Sequence, residues 1–454
     1  MGNAIMGNAQ KSAVVLGAGM AGLLAARVAS EHYDSVTVVE RDQLPDQPTH
    51  RKGVPQGRHL HSFLTRGTAI LGELFPGILD DLATAGAVVI DHGDLSGRYT
   101  RIGRHELNPA GRLADPGALA VYSASRPFME FHVRRRVNAL SNVAVLDDHD
   151  ALALIGNRDA VTGVRIANRK NKLTQLLHAN LVIDATGRTS HCADFLAENG
   201  FGPVPTQRHS PTWAYSSQLL RIPPGGLADK LVFVDRGRRD PGLLLIAYEH
   251  DTWMLSVARH RDHGSPPRDF SAMMAVAEQA LPEPIMAGLR EAAPVGDIAV
   301  AHDTAQLWHR YDHMSHTPAA LVVIGDSLCR VNPLHGQGMT LAALQSLTLR
   351  DCLRDSSTNL AQRYFRASAT AIQPVWAANA SYDRPASPSR RDRVVGQIRS
   401  WITDAVGHAA SRDVTVTERF MRVRNLVDSP AQLRDPVLLS RIVLANLRSV
   451  AVPA

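Results

Sequence analysis

Ser12-Ala13-Val14-Val15-Leu16-Gly17-Ala18-Gly19-Met20-Ala21-Gly22 decides the fold. The first five residues form a short apolar, β-branched run of the kind that makes a buried parallel strand. Gly17-Ala18-Gly19-Met20-Ala21-Gly22 then supplies a tight turn, and Leu23 to Ala29 is rich in good helix formers. Ser35-Val36-Thr37-Val38-Val39-Glu40 reads as a second strand ending in an acid. Glu40 lies 23 positions after Gly17, about the separation between a dinucleotide-binding turn and its ribose-binding carboxylate. Each glycine has a physical task. Gly17 permits the turn, Gly19 lets backbone approach a pyrophosphate, and Gly22 lets the helix pack closely on the strand. The helix N-terminus offers unpaired N–H groups and a positive dipole end to phosphates, and Glu40 is able to accept both ribose hydroxyls. A bare GxGxxG is weak, but a strand-turn-helix-strand unit with its acid in place predicts dinucleotide binding. It does not separate FAD from NAD.

Composition narrows the class. The chain has 454 residues, 44% hydrophobic and 20% charged, which excludes a disordered, collagenous or disulfide-scaffold protein. Net charge is only +6, and just five of the 49 basic residues are lysines. Dispersed arginines and 5% aromatics argue against a nucleic-acid partner. The short runs Arg134-Arg135-Arg136 and Arg390-Arg391 read as solvated helix faces. Three widely spaced cysteines (Cys192, Cys329, Cys352) indicate neither a disulfide framework nor a metal site. No apolar run approaches the roughly 18 residues of a membrane span, and the N-terminus lacks a signal-peptide layout. The expected location is the cytoplasm.

Two later segments extend the first motif. Asn180 to Arg188 reads as a strand entering a tight turn, Asp184-Ala185-Thr186-Gly187. Ala320 to Ser327 is a third buried strand ending in Gly325-Asp326, followed by Asn332-Pro333-Leu334-His335-Gly336-Gln337-Gly338-Met339 and a helical pattern. An acid at a strand end before a Gly-x-Gly helix start makes a second polar-ligand site, some 300 residues from the first. A long dinucleotide with two halves to cradle suits that arrangement better than a nicotinamide cofactor.

With these three markers in order, the chain resembles the FAD-dependent aromatic-hydroxylase-like monooxygenases, the group that includes p-hydroxybenzoate hydroxylase. Within it, Arg51-Lys52-Gly53-Val54-Pro55-Gln56-Gly57-Arg58-His59-Leu60-His61, with Leu74-Phe75-Pro76-Gly77, is most similar to bacterial polyether and polyketide flavin epoxidases. The resemblance implies an α/β fold: a Rossmann-like FAD-binding domain over 10–200 and 300–350, with small inserted strands near 90–120. An antiparallel-sheet substrate domain would cover 201–299, and a helical region 351–454. Gly17, Gly19, Met20, Ala21 and Gly22 would hold the pyrophosphate, with Glu40 and Arg41 on the adenosine side. Arg126 would open a helix beside FAD, and Asp326 would meet the ribityl chain or pyrophosphate. Gly336, Gly338 and Met339 would face the flavin's pyrimidine edge, where a helix N-terminus stabilises negative charge.

The segment 200–310 has short apolar strands separated by Pro-Pro-Gly-Gly and Arg-Asp-Pro-Gly, a meander-like antiparallel pattern. In the family such a sheet roofs the flavin, so Gln56, Tyr215, Met254 and Pro333 are expected in the substrate pocket, and Leu243 to Ile246 are expected to keep it dry. Trp376 and Tyr382 are expected at an entrance. Leu360 to Trp376 and Val394 to Ala410 look amphipathic, with a break at Arg384 to Ser389. His61 and His335 are the candidate acid/base residues; His59 and His61 also read as polar loop anchors.

The implied activity is monooxygenation through a C4a-hydroperoxyflavin, either epoxidation or hydroxylation of a small apolar polyketide-like substrate in antibiotic biosynthesis. It would use O2 and NAD(P)H, or a separate flavin reductase partner. Phenol hydroxylation benefits from a protein base whereas epoxidation does not, and the lack of a strong base tilts the reading to epoxidation. A flavin halogenase lacks its WxWxIP motif and lysine here. A prenyl-chain reductase and an FAD-containing non-redox polyene cyclase remain as alternatives.

Overall fold

The computed structural model describes residues 10–107, 110–210, 212–356, 358–383 and 401–450. Arg390-Arg391, the break at Arg384 to Ser389 and the start of the segment from Val394 lie outside the described residues.

The apolar runs form one parallel sheet. Its order is Leu321–Val323, Leu181–Asp184, Ser12–Leu16, Ser35–Val39, Val143–Leu146. Val14, Val15, Val36, Val38, Val182, Ile183, Val322 and Val323 are all essentially inaccessible, because helices cover one face and the small sheet His149–Gly156, Val161–Asn168, Thr174–His178 packs on the other. Register then does the positioning. Leu16 pairs with both Val39 and Asp184, and Asp184 with Val323. All strands run the same way, so the residues that follow them, Gly17, Glu40, Ala185 and Ile324, emerge along one edge of the sheet. Helix Met20–Ala29 packs against the long helix Gly338–Asp355, where a Cβ on Gly325 would lie 2.6 Å from the Ala21 Cβ.

The second sheet has seven strands, in the order Ala293–Ala301, Trp213–Arg221, Thr252–His260, Gly242–Ala247, Leu231–Asp235, Arg98–Ile102, His105–Glu106. The strands of 201–299 pair with one another antiparallel, as expected, and Arg98–Ile102 joins their edge in parallel with Leu231–Asp235. Moreover, Arg98–Ile102 and His105–Glu106, expected as small inserted strands of the cofactor domain, complete this second sheet. Val88–Ile90 and Val121–Ser123 form a separate pair.

One face of the second sheet is sealed by helices Phe270–Ala280 and Glu283–Arg290, and it carries Leu220, Leu243, Leu245, Trp253, Leu255 and Val257. The opposite face gathers Ile246, Tyr248 and Met254 with Leu60, Leu219 and Leu231. Leu243 and Leu245 therefore do not border the open side; the period-2 alternation turns them under the helices, leaving Ile246 and Met254 on the other face.

Beyond the long helix lie Leu360–Asp383, a helical segment 401–410, Val414–Arg424 and Pro436–Val450. Ala409, Ala410, Val416, Leu438 and Ile442 join Leu107 in a separate apolar cluster. Among the described residues no helix is long and apolar enough to cross a membrane.

Candidate functional site: a dinucleotide cradle beside a half-polar sheet face

The glycine turn behaves as its sequence demands, and each glycine for a different reason. Gly17 adopts φ +95°, and a Cβ there would sit 2.7 Å from the Ala185 carbonyl oxygen. At Gly22 a Cβ would lie 1.8 Å from the Gly17 carbonyl oxygen, so helix and turn touch backbone to backbone. Gly19 is extended at φ −74° and a Cβ there would meet nothing within 4 Å. Its need is neither strain nor packing, but clear space before a helix N-terminus. Gly338, opening the long helix, has the same clear space. Neither helix carries an acid in its first turn to neutralise its positive end. Met20 and Met339 are buried behind these turns, and Gly336 takes φ +64° to make the second one.

Two carboxylates flank this space, in opposite states. Glu40 is buried: Oε2 accepts the Ala18 N–H at 2.8 Å, while Oε1 accepts the Asp42 N–H at 3.0 Å and faces Arg51 Nη1 at 3.2 Å. A carboxylate has about four acceptor positions. Three are in use, so Glu40 retains one on Oε2 for a ribose hydroxyl rather than the two expected. Asp326 has no hydrogen bond or ion pair with any described residue, and its side chain is open to solvent. Burial nevertheless raises its pKa, against the opposing pull of Arg330, Arg188 and Arg126. The two facts agree if the carboxylate lies on the floor of a deep cleft, open upward and surrounded by protein elsewhere. Such an unpartnered acceptor suits a polyol hydroxyl.

Arg51 is the residue that the sequence reading undervalued. Its Nε donates to Glu130 Oε1 at 2.8 Å, Nη1 to Asp42 Oδ2 at 3.0 Å, and Nη2 to the Ala18 carbonyl at 3.3 Å. Gly53 N–H also donates to Asp42 Oδ2, at 2.6 Å. Arg126 completes the network through Glu130 Oε2, at 3.0 and 3.2 Å. Arg126 thus opens its helix, Arg126–Asn138, with its guanidinium held by an i,i+4 partner. Burial would raise the Glu130 carboxyl, but Arg126 and Arg51 more than offset it and hold it below its ordinary value. The i,i+4 spacing of Arg126 and Glu130 was visible in the sequence; the convergence of Asp42 and Arg51 with Glu130, itself 79 residues beyond Arg51, was not. Arg41 stands exposed and, among the described residues, only its carbonyl is engaged, by Arg169.

The histidines are anchored and neutral. His59 is buried, its Nδ1 3.0 Å from Ser217 Oγ, which is 2.7 Å from Ser256 Oγ; its ring meets Tyr215 edge-on at 4.7 Å. His61 Nδ1 donates to the His59 carbonyl at 3.1 Å, which fixes the proton on Nδ1 and leaves Nε2 as an acceptor. The His61 backbone is clamped twice by Tyr248, whose hydroxyl accepts the His61 N–H and donates to its C=O, both at 2.8 Å. Burial pulls His59 down to about 4 and, with Arg126, His61 down to about 3. His335 also falls to about 3, through burial and the charge of Arg424. All three are poor bases at neutral pH.

The expected pocket residues divide. Tyr215 and Met254 lie on the same sheet face as His59's partner Ser217, as strand alternation and register require. Gln56 and Pro333 are exposed in their turns, Pro55–Arg58 and Pro333–His335. Trp376 is buried against Trp308 and His209, so it packs the helix; Tyr382 instead stands edge-on to His335 at 4.9 Å. Among the described residues no group of three or more His, Cys, Asp or Glu is placed to hold a metal.

A parallel sheet with a glycine-fronted cleft, roofed by a mixed sheet, is the fold of FAD-dependent monooxygenases and halogenases. The myxobacterial chondrochloren halogenase CndH superposes with a TM-score of 0.61 at 16% identity, covering 93% of this chain and 99% of that one. PqsL of Pseudomonas aeruginosa, a probable FAD-dependent monooxygenase, gives 0.56 at 14%, over 92% and 98%. The Diels-Alderase PyrE3 of the pyrroindomycin pathway gives 0.61 at 16%, over 92% and 81%. No family model matches the chain. It belongs to the family of Protein Rv3254 of Mycobacterium tuberculosis (strain ATCC 25618 / H37Rv), with which it is 34% identical over 98% of this chain and 95% of that protein.

Proposed function

We propose that the protein is an FAD-dependent monooxygenase of the cytoplasm that inserts oxygen into a small apolar, polyketide-like natural product, by epoxidation rather than phenol hydroxylation. Similarity of the 51–61 segment to polyether and polyketide epoxidases supports the substrate class. In this reading 10–200 and 300–350 bind the cofactor, 201–299 with the strand Arg98–Ile102 bind substrate, and 351–454 close the molecule. The observation that carries it is the pair of open glycines, Gly19 and Gly338, each before a helix end without an acid, with Asp326 unpartnered between the strand ends.

Bound FAD supplies electron transfer and oxygen activation, with NAD(P)H or a separate flavin reductase as electron source. The chain's residues do the rest. Gly17 and Gly19 would let backbone approach the pyrophosphate, Glu40 would take a ribose hydroxyl, and Asp326 would take a hydroxyl of the ribityl chain. The first turn at Gly338 and Met339 would offer partial positive charge to the isoalloxazine. Ile246, Met254 and Leu219 keep water from the substrate side. Burial lowers the proton affinity of His59, His61 and His335, so none of these three is suited to deprotonate a phenol at neutral pH, which favours an alkene substrate.

Purified protein should be yellow, and stopped-flow mixing with NADH or NADPH should bleach the flavin; product should gain one oxygen atom from O2. A colourless protein that cannot be reconstituted with FAD would defeat the proposal. The fold likeness to PyrE3, together with the lack of a base, favours a non-redox cyclase as second reading. Turnover with oxidised FAD and no reductant would establish that reading, and strict dependence on reductant and oxygen would exclude it.

A further inference from the structure

Three arginines gather where the cofactor floor meets the second sheet. Arg188 lies in the turn Gly187–Thr189, which is stitched to the floor: the Gly187 N–H donates to Ser327 Oγ at 2.7 Å, and a Cβ on Gly187 would lie 3.9 Å from the Asp326 Cβ. Arg188 Nη1 donates to Asp303 Oδ2 at 2.8 Å. Arg330 Nη1 approaches the same oxygen at 3.6 Å, while its Nε donates to the Ala305 carbonyl at 3.0 Å. One carboxylate oxygen therefore brings two guanidiniums together.

Strand register adds the third. Thr206–His209, Gln306–His309 and Cys329–Arg330 form a three-stranded sheet in which Arg208 pairs with Leu307, and Leu307 with Arg330. Residues directly opposite one another point to the same side of a sheet, so Arg208 and Arg330 share a face two strand spacings apart, about 10 Å. Arg208 is exposed and has no ion pair or hydrogen bond among the described residues. Its charge is felt at Arg330. Burial first, then Arg188 and Arg208, press the Arg330 guanidinium below its ordinary value, against the pull of Asp303 and Asp326.

The group stands at the rim between the place of the cofactor and the wall assigned to substrate. Burial raises both Asp326 on the floor and Tyr215 on the second sheet, and the charge of Arg188 opposes the rise at each. The local charges do not balance, since three guanidiniums have only Asp303 in contact. The Arg188 and Asp303 side chains are 57 and 51% exposed, so solvent screens their pair and Asp303 neutralises little. Like charges held together in this way favour the arrival of an anion.

We propose that Arg188, Arg208 and Arg330 bind a phosphomonoester on the ligand that shares the cleft with FAD. Guanidinium forks match the several oxygens of a phosphate, and its charge of about −1.5 to −2 calls for more than one cation. Two ligands of the proposed reaction can carry such a group: the nicotinamide reductant, through a ribose phosphate that makes it NADPH, or a phosphorylated organic substrate. The proposal rests on the reading of the protein as a flavin monooxygenase.

Calorimetric titration of the FAD-saturated protein, with NADP+ against NAD+ and hexyl phosphate against hexanol, tests both sources. At least one pair should show a preference of about tenfold or more for the phosphorylated member. Preference for NADP+ assigns the site to the reductant, and preference confined to hexyl phosphate assigns it to the substrate. Arg208→Gln, at an exposed position, and Arg188→Gln should each lower the preference about threefold or more, leaving NAD+ or hexanol unchanged. Asp303→Asn should raise it about twofold, a gain that a damaged fold does not mimic. No preference in either pair, one that survives both arginine changes, or one that Asp303→Asn does not raise overturns the proposal. Weaker FAD binding in the arginine variants, read by visible absorbance, also overturns it, by giving these side chains to the pyrophosphate of FAD itself. A protein that takes up no FAD yet prefers the phosphorylated member through these arginines keeps the phosphate site and overturns the flavoprotein reading alone.

Discussion

Replacing Arg51 with Met tests the physical logic of the cofactor loop. The change strips Glu40 and Asp42 of the arginine that pairs them and leaves Glu130 with Arg126; the three side chains are only 6, 10 and 6% exposed, so solvent screens little. Removing one partner from such a buried group costs about 3–5 kcal/mol. Proton uptake caps the loss. Neutralising one glutamate of the cluster at pH 7 from the ordinary value of 4.5 costs 2.5 pH units, or about 3.4 kcal/mol, which falls inside that range. The sign of the pH dependence follows. In wild type the Glu130 carboxyl is depressed, so its stabilisation is complete above pH 4.5 and is lost as pH falls below that value. In R51M the folded form holds a proton that the unfolded form has released, so stability recovers as pH is lowered from 7. The deficit should shrink by about 1.4 kcal/mol per pH unit between pH 7 and 5. Urea unfolding of the FAD-free protein at several pH values measures it directly. A deficit under about 1 kcal/mol at pH 7, or one that does not change with pH, refutes the reasoning.

Gly19→Ala should leave the FAD-free protein within about 0.5 kcal/mol of wild type, since its backbone is extended and its Cβ meets nothing, yet lower FAD affinity at least about tenfold in fluorescence titration. Gly22→Ala should fail to fold or should unfold many degrees earlier by calorimetry, because its Cβ overlaps the Gly17 carbonyl. His59 sits at about 4 folded against 6.5 ordinarily, so the unfolded chain gains protons first and stability declines as pH falls from 6.5 towards 4, by about 1.4 kcal/mol per unit from this site. His59→Gln should flatten that decline in urea midpoints, and an unchanged slope would disprove the assignment. Tyr248→Phe removes both bonds to the His61 backbone and leaves its N–H and C=O unpaired, which should cost about 1–3 kcal/mol in the same assay.

The cofactor half was legible because its demands are local. Gly17, Gly19 and Gly22 follow from what backbone does within six residues, and Glu40 and Asp326 from standing at the ends of strands whose apolar runs are continuous. The substrate half depends on pairings that no local pattern announces. Arg98–Ile102 enters the second sheet because Leu231–Asp235 offers a free edge more than 120 residues away. Leu243 and Leu245 read like Ile246, and only the register of their strand turns them towards the helices. Arg51 was visible as part of a conspicuous segment, but a guanidinium's partners are set by three-dimensional convergence.

The same arginine that closes the Glu40 network also explains why the 51–61 segment belongs to the site. Arg51 touches the Ala18 carbonyl and Glu40 on the glycine turn, and Gly53 shares Asp42 with it. Ten residues on, Tyr248 clamps His61 to the second sheet, and His59 bonds Ser217 on the same sheet. The segment is therefore tied at one end to the turn that meets the pyrophosphate and at the other to the face proposed to meet substrate. Charge pairs make the first tie and neutral hydrogen bonds the second, which suits their surroundings. The turn needs a fixed carboxylate with one free acceptor position, and a dry face cannot hold an unpaired charge. Histidines kept neutral by burial satisfy that second condition, so their low basicity follows from where they anchor the chain.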